Sequence, residues 1–284
     1  MTILWAFLWA VGSGPAAYPI QPQPLRWLWR DAGLVVVAKA GPPLAPDRGS
    51  GYSAKVTLEV ERVLKGTFDG KTVAVHYAAD LLCPEPDAYP EGKTVLVFLA
   101  WNDPTKVWYA PGLSYGSKAL EPPVLKRYVA RLEELAALDR APKGERPART
   151  VEWLVTCMEH PDTRWEGAYD FGASEKPAHP PLTDAQKQRL LKVLASAPSI
   201  GSDDVLVVEN ALASEPDRRV DEALVRALRG SLATGSRVGR RAMALLTSRR
   251  ALPFGAALLQ AYDDAEEAPA KAEVLRRFLD RVPH

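Results

Sequence analysis

The sequence has few of the side chains that most often carry chemistry. Its 284 residues include two cysteines and four histidines. The histidines are widely spaced, and no Cys-x-x-Cys, His-x-x-x-His or Glu-x-x-His pattern is present. A glycine-rich loop that could hold a phosphate at the start of a helix is also missing. We therefore predict neither a metal ion nor a cofactor.

The chain also lacks an excess of charge of either sign. Lys and Arg number 36 and Asp and Glu number 35, so the net charge is +1. Nucleic acids and acidic membranes select for dense positive patches, and we therefore expect no nucleic-acid partner. Arginine pairs at 218–219, 240–241 and 249–250 recur at helical spacing among apolar residues. We interpret these pairs as solvated helix faces.

Apolar runs long enough to span a membrane are missing after the N-terminus. The opening residues, MTILWAFLWAVGSGPAA, hold a short apolar run over 3–11 followed by small residues, which is typical of a secretory signal. We expect a signal peptide over 1–17, an extended lead-in over 18–32, and an exported protein, periplasmic or secreted. No Lys or Arg precedes the apolar run, so a buried N-terminal segment is the alternative.

Residues 33–111 follow a period of two, which is typical of β-strands. Turn-forming Gly, Pro and Asp separate five apolar runs: GLVVVAKA (33–40), SAKVTLEVERVLKG (53–66), KTVAVHYAA (71–79), KTVLVFLA (93–100) and KVWYAP (106–111). The adjacent pair Val63 and Leu64 breaks the alternation and predicts either a bulge or a bend of the strand. His76 alternates with Val75 and is expected to face solvent. Five short strands predict a small closed barrel of the OB type.

Parts of this region resemble the netrin-like family. The matching positions are the strand 33–39, Lys65 with Gly66, Cys83 before a proline, and Gly92 with the strand that follows it. The family includes the inhibitory domain of tissue inhibitors of metalloproteases, so the resemblance implies an OB-type barrel and suggests an inhibitor of an exported hydrolase. Those inhibitors chelate the protease metal through a disulfide-bonded Cys at the mature N-terminus. This sequence has no Cys before position 83, so inhibition by that route is not implied.

From residue 121 onward the apolar period becomes helical. The stretch 121–139 carries one apolar stripe, and we predict that it is the last helix of a first domain, 33–139. The charged segment 140–150 is predicted to be a linker. A second domain, 151–284, holds amphipathic segments of helix length. Thr183 and Gln186 predict a capping box. EPDRRVDEALVRAL (215–228) resembles a HEAT-type repeat. We therefore predict a two-domain α+β protein, with a five-stranded OB-like β-barrel followed by an all-α, irregular HEAT-like helical stack.

The densest group of reactive side chains lies in WLVTCMEHPDTRWEGAYDF (153–171). At about 100° per residue, Cys157 shares an apolar arc with Leu154, and His160 falls at the end of the helix. We interpret the group as a seam between two helices, with the thiol in the core. The alternative is a hydrolase in which Cys157 is the nucleophile and His160 its base. Whether Cys83 pairs with Cys157 in a disulfide is left open.

Both predicted folds bind partners through extended surfaces. Our first hypothesis is a non-catalytic, exported interaction or scaffold protein that binds a protein partner. The expected contacts are aromatic residues in turns of the barrel, namely Tyr52, Trp101, Trp108 and Tyr115, because surface aromatics anchor interfaces. Packing of these rings against the lead-in RWLWR (26–30) is the alternative. The Cys157–His160 hydrolase and the hydrolase inhibitor are the competing functions.

Overall fold

The strands of the first half pair into one closed sheet. The computed structural model describes residues 21–81, 87–173 and 180–282. The strands are Leu34–Leu44 (β1), Ala54–Lys65 (β2), Thr72–Tyr77 (β3), Thr94–Asn102 (β4) and Val107–Tyr109 (β5). They are ordered β1-β2-β3-β5-β4, and β4 pairs with β1 to close the ring. Only β3 and β5 run parallel within this ring. The predicted five-stranded OB-like barrel is confirmed.

Bulges in β2 let this long strand curve around the barrel. Leu64 is an extra residue, because its neighbours Val63 and Lys65 pair with consecutive residues of β1. Glu61 is displaced from the pairing in the same way. A bulge bends its strand and increases the local twist. The predicted bulge at Val63 and Leu64 is therefore confirmed. A short strand that the sequence did not indicate, Ser117–Ala119 (β6), pairs with the edge of β4 beside β5.

The lead-in contains a helix, which corrects the expected extended conformation of 18–32. Residues 1–20, including the predicted signal peptide, lie outside the described residues. The helix Leu25–Asp31 (α1) buries Leu25, Leu28 and Trp29, whose spacing places them on one face. It forms because this face packs against the rest of the protein, a contact that the flanking proline-rich sequence does not reveal.

Lys65 and Gly66, which carry part of the netrin-like resemblance, lie at the end of β2, where Lys65 contacts α1 and Gly66 packs against the start of β1. The Lys65 ammonium donates hydrogen bonds to the carbonyl oxygens of Trp29 and Ala32, at the C-terminal end of α1 where such donors are needed. Burial lowers the pKa of Lys65. Gly66 has a φ of +83°, and a β-carbon there would collide with the carbonyl oxygen of Gly33. The contacts of Lys65 and the backbone conformation of Gly66 therefore explain why these two residue types occur at these positions.

After the barrel the described chain is helical, as predicted. The helices are Pro122–Arg140 (α2), Arg146–Glu159 (α3), Arg164–Gly172 (α4), Asp184–Ser196 (α5), Ser202–Val207 (α6), Arg218–Ser231 (α7), Arg237–Arg249 (α8), Gly255–Asp264 (α9) and Ala268–Leu279 (α10). Thr183 and Gln186 form the predicted capping box at the start of α5. Helix α3 begins at Arg146, inside the predicted linker 140–150. The charged residues of its first turn fit a helix here because that turn faces solvent, whereas the later turns of α3 are buried.

The helices and the barrel share a hydrophobic core. Val35 and Phe98 lie on the outer face of β1 and β4, and they belong to the same buried cluster as the side chains of α1 and α2. Val36 and Val97 point the other way and belong to a second cluster inside the barrel. Both faces of these two strands are therefore buried. The barrel depends on the helices to cover its outer apolar face.

Candidate functional site

The reactive cluster 153–171 forms the seam between α3 and α4. Gly167 permits the close approach, because a β-carbon there would lie 2.5 Å from the carbonyl oxygen of Leu154. Cys157 is 0% exposed and is a free thiol, and burial raises its pKa well above the usual value. A nucleophilic cysteine needs the opposite, an accessible thiolate. His160 lies at the end of α3, where burial lowers its pKa. Cys83 lies outside the described residues.

The carboxylates of this cluster anchor the N-terminal helix. Glu166 is 2% exposed, and its Oε2 accepts a hydrogen bond of 2.8 Å from the backbone N–H of Leu25. Its other oxygen lies 3.1 Å from the Lys118 ammonium of β6. One turn later, Asp170 accepts two hydrogen bonds of 2.6 Å from Arg26. These paired groups satisfy the need of buried carboxylates for partners and tie α1, the barrel and α4 together.

Tyr115, one of the predicted contact residues, belongs to the same junction. Its ring stacks on Trp165 of α4 at 5.9 Å between centroids, and Trp165 stacks in turn on Tyr169 at 5.1 Å. The edge of Trp27 meets Tyr169 at 6.4 Å. The structure thus places Tyr115 between the barrel and the helices, apart from the other predicted contacts.

Tyr52 lies on the outer face of the barrel. The loop 45–53 between β1 and β2 folds over this face, and Tyr52 stacks on Tyr109 at 6.2 Å and lies 6.1 Å from the His76 ring. In the same loop Asp47 receives a hydrogen bond from Lys55 and contacts Nε2 of His76 at 2.9 Å. Mainly through the Lys55 ammonium, the pKa of Asp47 is held below its usual value.

The position of His76 corrects the expectation that it faces solvent. It does point away from the barrel interior, as the alternation predicted, but the loop 45–53 covers it and leaves it 2% exposed. Its Nδ1 is buried with no hydrogen-bond partner among the described residues. Local periodicity predicts which face a side chain is on, whereas its burial depends on a loop distant in the sequence.

Trp101 and Trp108 form a pair on the β4–β5 hairpin. They are direct cross-strand neighbours, and their rings meet edge to face at 5.2 Å. Trp108 packs partly against the barrel core, while Trp101 is 43% exposed.

We call Trp101 and Trp108 the aromatic hairpin surface. The structure thus brings two of the four predicted contacts together. Trp108 and Tyr109 are consecutive residues of β5 and point to opposite faces of the sheet, so Tyr52 forms a separate pair with Tyr109 beside His76 on the outer face. The sequence analysis did not identify Tyr109. Nearby, Lys55 pairs with Asp47, and Lys106 in the hairpin turn pairs with Asp103 at 3.1 Å.

The described residues hold no group of three or more His, Cys, Asp or Glu side chains placed to bind a metal ion. Within the same ranges, none of the helices has both the length and the apolar character needed to cross a membrane. Comparisons with protein-family models, curated proteins and solved structures gave no match to this chain. The fold and site define an OB-like barrel joined to a helical domain, with an aromatic surface on the barrel.

Proposed function

We propose that this chain is a non-catalytic, exported interaction protein that binds a protein partner through the aromatic hairpin surface. The observation that carries the proposal is the exposure of Trp101 on a paired hairpin. Tryptophan supplies a large contact area and is enriched among the residues that dominate binding energy. Because the strand pairing and Trp108 already hold the ring in place, little side-chain entropy is lost on binding.

The charge of the surface favours a protein partner over a nucleic acid. Stacking of bases on aromatic rings is usually accompanied by a positively charged groove that follows the phosphates. Here Lys55 and Lys106 each have an aspartate partner, so neither presents an unpaired charge to a phosphate. The location agrees with the fold by analogy, since OB barrels bind ligands on the face of their second and third strands and through the loops between strands 1 and 2 and between strands 4 and 5, and Trp101 lies beside the last of these loops.

The remaining parts of the proposal come from the sequence. The short apolar run and the small residues within 1–17 support export. The packing of α7 on α8 and of α9 on α10 supports a HEAT-like stack of helix pairs. The barrel topology supports a netrin-like relationship, without the N-terminal metal-chelating Cys that inhibition would need. The buried thiol of Cys157 argues against the competing hydrolase.

The test compares two equally exposed apolar residues in the full chain, since the barrel and helices share a core. Trp101→Ala removes the exposed ring, and the control Leu44→Ala trims the end of β1, where Leu44 is also 43% exposed. We expect the wild type and Leu44→Ala to recover the same protein from the exported fraction of the native host, and Trp101→Ala to lose it. Full recovery by a folded Trp101→Ala protein would refute the proposal.

A further inference from the structure

A groove lined by arginines lies on the helical domain, away from the barrel. Its volume is about 470 Å³, and five arginines contribute to its walls. Arg226 and Arg229 project from α7, and the apolar floor is formed by Val225, Leu279 and Val282. An apolar floor with cationic walls fits a ligand that carries both apolar groups and negative charge.

The other cations of the groove are matched by carboxylates. Arg218 pairs with Glu222 at 2.8 Å, and Arg219 pairs with Asp217 at 2.7 Å. Asp221 pairs with Arg250 and with Arg249, at 2.8 Å each. These pairs account for three of the five arginines, which places the uncompensated positive charge of the groove on the remaining two.

Arg226 and Arg229 have no carboxylate partner in the described part of the chain. Arg226 donates to the carbonyl oxygens of Ala197 and Leu194, at the end of α5. Arg229 is exposed and makes no side-chain hydrogen bond or ion pair within the same ranges. Its planar guanidinium can therefore donate two hydrogen bonds to a carboxylate without losing an existing contact.

The groove continues past Arg229. A second cavity of about 510 Å³ shares Arg229 and Leu279 with the first, and it adds Leu232, Arg276 and Asp280 to the lining. The two cavities therefore adjoin at Arg229, and we call them together the trough. Two adjoining cavities give room for a length of polypeptide.

We propose that this trough binds an acidic peptide segment of a partner protein. Apolar side chains of the segment pack on Val225, Leu279 and Val282, and a carboxylate pairs with Arg229. A nucleic acid fits less well, because the described lining of both cavities contains no aromatic ring to stack a base. The site involves no residue of the aromatic hairpin surface, so the inference stands independently of the proposed function.

The experiment is a fluorescence-anisotropy titration of the full chain with a labelled synthetic peptide that repeats Leu-Glu-Glu. We expect saturable binding that weakens with added salt, and no binding of the matched Leu-Lys-Lys peptide. Arg229→Glu should weaken binding about tenfold or more, equivalent to at least about 1.4 kcal/mol. Arg277→Glu makes the same charge change at an exposed position of α10 outside the groove and should leave the affinity unchanged.

Several results would overturn the inference. These are no binding of the acidic peptide, equal binding of the lysine peptide, or equal effects of Arg229→Glu and Arg277→Glu. A single-stranded oligonucleotide that binds more tightly and is itself weakened by Arg229→Glu would assign the groove to nucleic acid instead. Thermal unfolding of each variant shows whether it is folded, and Trp101→Ala should leave peptide affinity intact. Loss of affinity in Trp101→Ala would place the peptide on the barrel.

Discussion

Replacing Asp87 with asparagine should make the protein more stable above neutral pH. Asp87 is 5% exposed, and its Oδ1 has no hydrogen-bond partner among the described residues. Burial raises the pKa of this carboxyl to about 8, and a hydrogen bond from Ser117 only partly offsets the effect. The folded protein therefore favours the protonated acid, which an asparagine side chain imitates without titrating.

The size and sign of the effect follow from the two pKa values. The carboxyl has an ordinary pKa of 3.8 and a folded-state pKa of about 8. Each pH unit between them corresponds to about 1.36 kcal/mol, so ionising Asp87 costs up to about 6 kcal/mol. Because the folded pKa is raised, this contribution to stability is complete below about pH 4 and is lost as the pH rises through about 8. Total stabilities are about 5–15 kcal/mol, so the loss is large.

The measurement is urea-induced unfolding followed by tryptophan fluorescence at about pH 5 and about pH 9, at constant ionic strength. We expect the free energy of unfolding of the wild type to fall between these pH values by several kcal/mol more than that of Asp87→Asn. Asp80→Asn is the control, because Asp80 is exposed and its pKa is lowered by Ser53. Parallel pH dependence of the wild type and Asp87→Asn would refute the reasoning.

Three further predictions concern the helical domain. Asp170→Ala should lower the free energy of unfolding by about 3 kcal/mol, because Arg26 and Trp27 lose a buried hydrogen-bond acceptor. Urea unfolding measures this loss, and a value below about 1 kcal/mol would contradict the anchoring role of Asp170. In a Cys83→Ser protein, Cys157 should resist a maleimide at about pH 8 and react after unfolding, as followed by mass spectrometry; native labelling would show an open thiol. Thr183→Ala should cost about 1 kcal/mol by removing the capping box of α5, whereas Thr183→Ser should cost much less, and equal losses would exclude the cap as the cause.

Most of the barrel strands were predictable from the sequence because the side chains that face the barrel interior are apolar and recur at every second residue. The alternation of Val73 and Val75 marks one such strand, and both side chains are buried inside the barrel. The bulge at Leu64 was predictable for the same reason, since two adjacent apolar residues break the alternation. The continuous apolar run of β1 agrees with burial on both faces, inside against the barrel core and outside against helices.

What the sequence could not show depends on contacts between distant segments. His76 is buried by a loop some thirty positions earlier, where Asp47 contacts it across a sequence separation of 29. Tyr115 stacks on Trp165 of α4, and no local sequence pattern around either residue predicts this contact. Helix α1 was not predicted either, because its short apolar face is stabilised only by packing against helices that are distant in the sequence. Trp101 was identifiable because a tryptophan beside turn-forming residues already points to an exposed hairpin.

The central claim is that a partner protein contacts the barrel at Trp101. A photo-crosslinking amino acid can be placed at position 101, or at the equally exposed position 44, in the full chain produced by its native host. We predict one discrete cross-linked partner from position 101 and none from position 44. Cross-linking of the same partner from both positions, or from position 44 alone, would contradict the account.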